Sequence, residues 1–161
     1  MYLDLTDVLR APGNASEKPL RIEPDTLEGL ELAEPVNGTV RATNARQNLV
    51  VSGRGRTTVV LPCSRCLQPY QQPVEFELEA SAPLSFFRQL THGIVPEDEE
   101  EEPDDELAAL FDANSLDVLE LVRQAIELQL PPKPLCSPDC PGLPEAAKYM
   151  SAPGDDRLRA L

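Results

Sequence analysis

Apolar and polar residues alternate most cleanly from Val74 to Ala80. Val74, Phe76, Leu78 and Ala80 fall on one side of an extended chain, and Glu75, Glu77 and Glu79 on the other. A period of two with one charged face predicts a half-buried strand. The same period runs from Val36 to Ala42, where Val36, Gly38, Val40 and Ala42 alternate with Asn37, Thr39 and Arg41. Asn48 to Ser52 and Thr57 to Pro62 read as two further strands, joined at hairpin length by Gly53-Arg54-Gly55. Leu84 to Phe87 reads as another strand, and Leu20 to Ile22 as a brief one before the turn at Pro24-Asp25. Asn14 to Lys18 reads as a loop, and Leu3 to Leu9 as a short helix or extended arm ended by Ala11-Pro12-Gly13.

The period changes to that of a helix over Ser115 to Gln129. Leu119, Val122 and Ile126 form one ridge, with Val118, Leu121, Ala125 and Leu128 beside it. Asn114 or Ser115 is placed to cap this helix, Asp117 suits its first turn, and Pro131-Pro132 stops it. Glu106 to Phe111 is ambiguous between helix and strand. Pro96 to Glu106 is almost wholly acidic and has nothing apolar to bury, so residues 96–106 read as a disordered loop. An RNA-mimicking role over a basic face is the alternative. The closing stretch from Asp155 to Leu161 reads as a last helical turn. The elements predict an α+β fold: an antiparallel, partly barrel-like sheet from Val36 to Phe87, with one main C-terminal helix packed on it.

The chain has 161 residues, the length of one domain, and 1–161 is read as such. It has no apolar run of membrane-spanning length and no secretory leader, which predicts a cytoplasmic protein with reduced thiols. Its net charge of −14 argues against simple polyanion binding. The charge is uneven, however. Between Pro35 and Val74 there is no acid, while Arg41, Arg46, Arg54, Arg56 and Arg65 all fall there. These five arginines are the candidate nucleic-acid contacts. The alternative is a solvated strand face that uses Arg and Thr.

The four cysteines form two close pairs, Cys63-Ser64-Arg65-Cys66 and Cys136-Ser137-Pro138-Asp139-Cys140. Two short thiolate loops are the pattern of a structural zinc site, so Cys63, Cys66, Cys136 and Cys140 are the candidate ligands of one zinc ion. Pairing the Val74 strand with the strand before Cys63 puts the first pair at a hairpin turn. The second pair then ties the end of the helix back to that turn, as a clasp. Ordinary buried thiols, a redox dithiol or an oxidation sensor are the alternatives. A redox dithiol would need a helix after Cys63, which Pro69 and Pro73 oppose. No catalytic set can be assembled around the only histidine, His92. Gly53-Arg54-Gly55 lacks the remainder of a phosphate loop.

Cys63-Ser-Arg-Cys66-Leu67 followed by an alternating strand resembles the signature of the YceD family, the large ribosomal RNA subunit accumulation proteins. Leu116-Asp117, Leu130-Pro-Pro-Lys-Pro-Leu-Cys136 and Cys140-Pro-Gly142-Leu143 resemble its later blocks. Leu9-Arg-Ala-Pro-Gly13 and Asp156-Arg157-Leu158 through Leu161 resemble its ends. Pro144 is a departure, for many members carry a further cysteine there and then a C-x-x-C-Gly. The resemblance implies a non-enzymatic factor supporting accumulation or processing of 23S ribosomal RNA. Its partner would be ribosomal RNA or a pre-large-subunit particle, or else a protein assembly partner. It also implies a strand leading into the main helix.

Overall fold

A computed structural model describes residues 1–87, 109–112, 114–143 and 145. The acidic stretch 96–106, His92 and the closing stretch 155–161 lie outside these residues. The order of elements is β1 (Tyr2–Asp4), α1 (Thr6–Arg10), β2 (Ala15–Ile22), β3 (Leu32–Asn44), β4 (Asn48–Pro62), β5 (Pro69–Pro83), β6 (Phe111–Asp112), β7 (Ser115–Asp117) and α2 (Val118–Gln129), with a short 3-10 turn at Pro24–Thr26. The fold is α+β and its sheets are antiparallel. One sheet runs β2-β3-β4-β5 and a small one runs β1-β7-β6. Among the described residues the larger sheet is open, with β2 and β5 at its edges and no pairing that closes a barrel.

Burial follows the alternation that the sequence displays. Val74, Phe76, Leu78 and Ala80 are buried, and Glu75, Glu77 and Glu79 are exposed. Val36, Val40, Ala42, Val51 and Val59 join them from β3 and β4. The remainder of the core comes from both ends of the chain: Leu3, Leu5 and Val8, and Val118, Val122 and Ile126 of α2. Buried Asn44 fastens α1 to the β3–β4 turn. Its amide donates to Val8 O (3.0 Å), while its oxygen accepts from the Arg46 N–H (3.1 Å).

Four expectations change. Gly53-Arg54-Gly55 is not a link, because β4 runs unbroken from Asn48 to Pro62. The glycines are there for contact. A Cβ on Gly55 would lie 2.5 Å from Phe76 Cζ, and one on Gly38, its partner on β3, would lie 2.1 Å from Arg54 O. Asn14 to Lys18 is mostly strand, since β2 begins at Ala15. It is a sheet edge with water on both faces over its first half, so its side chains show no alternation to read.

Leu84 to Phe87 is helical rather than extended. That turn lets Phe86 and Phe87 meet Phe111 edge-on, at centroid distances of 6.2 and 5.1 Å. The main helix begins at Val118, later than its apolar period suggests. Ser115–Asp117 is drawn instead into the small sheet, where Leu116 pairs with Leu3. Asp117 is the N-cap, its Oδ1 accepting from the N–H groups of Leu119 (2.9 Å) and Glu120 (3.5 Å). The ambiguous stretch ends as strand β6 at Phe111, with Leu110 before it in a turn. Leu3 to Leu9 divides between β1 and α1.

Two substitutions test this packing by urea unfolding. Gly38→Ala sets a methyl against backbone that cannot yield and is expected to cost about 2 kcal/mol. Asp117→Ala removes the cap of α2 and is expected to cost about 1 kcal/mol.

Candidate metal centre

β4 ends at Pro62 and β5 begins at Pro69, opposite each other. Between them the chain makes a tight turn. The Cys63 N–H donates to Gln68 O (3.0 Å) and the Leu67 N–H to Cys63 O (2.9 Å). Leu67 takes a left-handed conformation (φ 61°) that reverses the chain just after the second thiol. The Arg65 N–H faces the Cys63 sulfur at 3.5 Å.

The second loop is delivered by a proline-rich return from α2. The Ser64 N–H donates to Pro134 O (2.8 Å), and the Cys140 N–H to Ser137 O (3.1 Å). The Arg65 guanidinium crosses between the loops, donating from Nη1 to Pro138 O (3.2 Å) and Cys140 O (3.1 Å).

These contacts bring all four sulfurs within 4.8 Å of one another. Cys63 lies 3.8 Å from Cys140, and Cys66 lies 3.8 Å from Cys136. Sulfurs about 2.3 Å from one ion at the corners of a tetrahedron are about 3.8 Å apart, so the cluster fits a zinc ion. None of the four is in a disulfide. Cys63 and Cys140 are buried, Cys66 is half-buried and Cys136 is exposed, so the cluster has an inner and an outer side.

The thiols differ in acidity. The backbone N–H groups of Cys136, Cys66 and Arg65 surround Cys63, and its pKa falls to about 6. Cys136 is pushed up to about 12, chiefly by the Cys140 and Cys63 thiols beside it. Cys66 is also raised; the Gln68 N–H pulls it down, but burial and the Cys63 and Cys140 thiols outweigh that. The Cys63 thiol thus ionises more readily than those of Cys66 and Cys136.

The five arginines are not gathered in one place. Arg41, Arg54 and Arg56 share the outer face of the sheet, where Arg41 lies opposite Ser52 and Arg54 opposite Thr39. Arg46 sits in the β3–β4 turn with φ 71°. Arg65 is on the cysteine turn, at the other end of β4. The acid-free window of the sequence is not an acid-free surface. Arg54 pairs across the strands with Glu77, and Arg56 with Glu75. Arg41 makes an ion pair with Glu17 at 3.7 Å. The side chains of Arg54 and Arg56 have no ion pair or hydrogen-bond partner among the described residues. Arg65 is a brace for the second cysteine loop, a role its place between two thiols hinted at but could not specify.

Among the described residues, no helix is long and apolar enough to cross a membrane. No solved structure matches this chain. Its curated relatives include uncharacterized proteins of Mycobacterium bovis and of two strains of Mycobacterium tuberculosis. Each is 28% identical over 150 residues, covering 89% of this chain and 67% of the relative. The model of the YceD family, described as large ribosomal RNA subunit accumulation protein, matches residues 51–155. That span takes in most of β4, the cysteine turn, β5, α2 and the second cysteine loop, and so the chain belongs to the YceD family.

Proposed function

We propose that this protein is a non-enzymatic ribosome biogenesis factor, supporting accumulation or processing of the 23S ribosomal RNA, with one structural zinc closing its clasp. The observation that carries the reading is the family match across both cysteine loops. In this reading residues 1–161 act as one domain in the cytoplasm. Zinc is held by Cys63, Cys66, Cys136 and Cys140, a choice supported by the tetrahedral spacing of their sulfurs. With all four positions filled by protein, the ion has no open site for a substrate, and its part is structural.

Arg54 and Arg56 are the candidate RNA contacts, with Arg41 and Arg46 further along the same sheet. Arg65 is better placed to hold the second loop than to touch RNA, given its two carbonyl bonds. A second reading is a zinc-stabilised protein-interaction module with no RNA contact of its own. Glu75 and Glu77 favour it, because carboxylates directly across from Arg54 and Arg56 weaken the attraction of a phosphate backbone.

Elemental analysis of the purified protein is expected to give about one zinc per chain. Cys63→Ser is expected to release it and to lower the melting temperature by on the order of 10 °C. A metal-free protein of undiminished stability rules the zinc out.

Changing Arg54 and Arg56 together to Glu is expected to remove the protein from pre-large-subunit particles on sucrose gradients. The salt slope of its binding to ribosomal RNA should fall by about 1 to 2. Unchanged sedimentation, with no affinity for ribosomal RNA at low salt, selects the protein-interaction reading.

A further inference from the structure

β5 is a 15-residue strand with one side paired to β4. Which of its amides face outward follows from the two ends of the ladder. The Cys63 N–H donates to Gln68 O at one end, and the Leu84 N–H donates to Gln47 O at the other. Hydrogen-bonded pairs alternate along an antiparallel ladder. Both ends therefore require the even-numbered residues of β5 to bond to β4, and the odd-numbered ones to point their N–H and C=O groups away from the sheet.

Pro69, Pro73 and Pro83 all fall on the outward-pointing set, where a missing N–H breaks no ladder bond. Between Pro73 and Pro83 the outward amides are those of Glu75, Glu77, Glu79 and Ser81. None has a backbone partner among the described residues. The strand thus offers a short docking edge, bounded by prolines, with its three glutamates exposed on the outer face. No ion pair among the described residues uses these carboxylates.

The opposite edge of the sheet differs. The Asn44 N–H donates to Asn14 O, so the odd-numbered residues of β2 point outward. Pro19 interrupts that short row, and Glu17 is already paired with Arg41.

We propose that the Glu75–Ser81 edge of β5 binds an extended, basic protein segment as an added strand, with alternate Lys or Arg side chains set against Glu75, Glu77 and Glu79. Main-chain bonds to the four outward amides and carbonyls supply affinity. Carboxylates at every second position select the charge of the partner. The same features turn away a second copy of this chain. Pairing β5 with β5 sets glutamate against glutamate, which is how natural sheets protect an edge from their own kind. A single-stranded RNA is disfavoured by the same row of charge. The inference goes beyond the ribosomal reading and does not require Arg54 and Arg56 to touch RNA.

The test uses the full-length, isotope-labelled protein and a short peptide alternating Lys with Val, beside a counterpart with Gln in place of Lys. Amide exchange followed by NMR is expected to slow at Glu75, Glu77, Glu79 and Ser81. Phe76 and Leu78, already bonded to β4, should not change. The Gln peptide is expected to bind about tenfold more weakly, as the loss of three exposed ion pairs implies. Glu77→Pro removes the central outward amide and is expected to abolish binding. Should that variant fold poorly, Glu75→Gln, Glu77→Gln and Glu79→Gln together are expected to erase the preference for Lys. Equal binding of the two peptides overturns the proposal. So does protection that arises with protein concentration alone, or with single-stranded RNA in place of peptide. Failure of both peptides to bind overturns it too, and leaves the zinc and RNA tests standing, because those read the cysteine turn and the arginines.

Discussion

The β4–β5 ladder is the constraint on which the remainder of the structure depends. It runs in unbroken register from Asn48 and Pro83 at one end to Pro62 and Pro69 at the other. One end fixes the turn that aims Cys63 and Cys66. The other places Phe86 and Phe87 where Phe111 can meet them. The buried face of β5 gives α2 its seat, and α2 carries the chain to Pro131 and the second cysteine loop. A slip of one residue would turn Phe76 and Leu78 to water and rotate the cysteine turn away from Cys136 and Cys140. Register is therefore held twice, by apolar burial along the ladder and by the clasp at its tip.

The clasp closes by several weak links before any ion is considered. Ser64 bonds to Pro134, and Arg65 bonds to Pro138 and Cys140. These contacts bring the sulfurs to the spacing that a tetrahedral ion needs. The thiols are also set apart in acidity: hydrogen bonds with the Cys140 and Cys63 thiols raise Cys136, while surrounding backbone N–H groups lower Cys63. The structure thus presents four thiols at a spacing compatible with one metal ion. No other cluster of metal-binding side chains occurs among the described residues.

Charge on this protein is a matter of rows rather than patches. On the outer face the arginines of β4 stand next to the glutamates of β5, and Arg41 stands next to Glu17. A window of sequence without acids becomes a surface of alternating sign, because strands far apart in the chain lie side by side. The glutamate row stands at an edge that is unpaired among the described residues, where its carboxylates meet what approaches the sheet from outside.

The alternation from Val74 to Ala80, the pairing of the cysteines and the apolar ridges of α2 were legible in the sequence, except that Leu128, read onto a ridge, is exposed. Each is a local pattern, with its period or spacing set by a single element. The end of β2, Leu20 to Ile22, was legible too, but its first half was not, since a sheet edge wet on both faces has no alternation. The start of α2 was not either, because pairing of Leu116 with Leu3 outweighed the helical period of Ser115–Asp117. Gly53 and Gly55 resembled a turn, and only the crossing of Phe76 and β3 explains them as close contacts. The thiols and arginines were determined by sequence as residues. Which of them meet was decided by tertiary structure: strand register brings four sulfurs together, spreads five arginines apart and sets three of those beside glutamates.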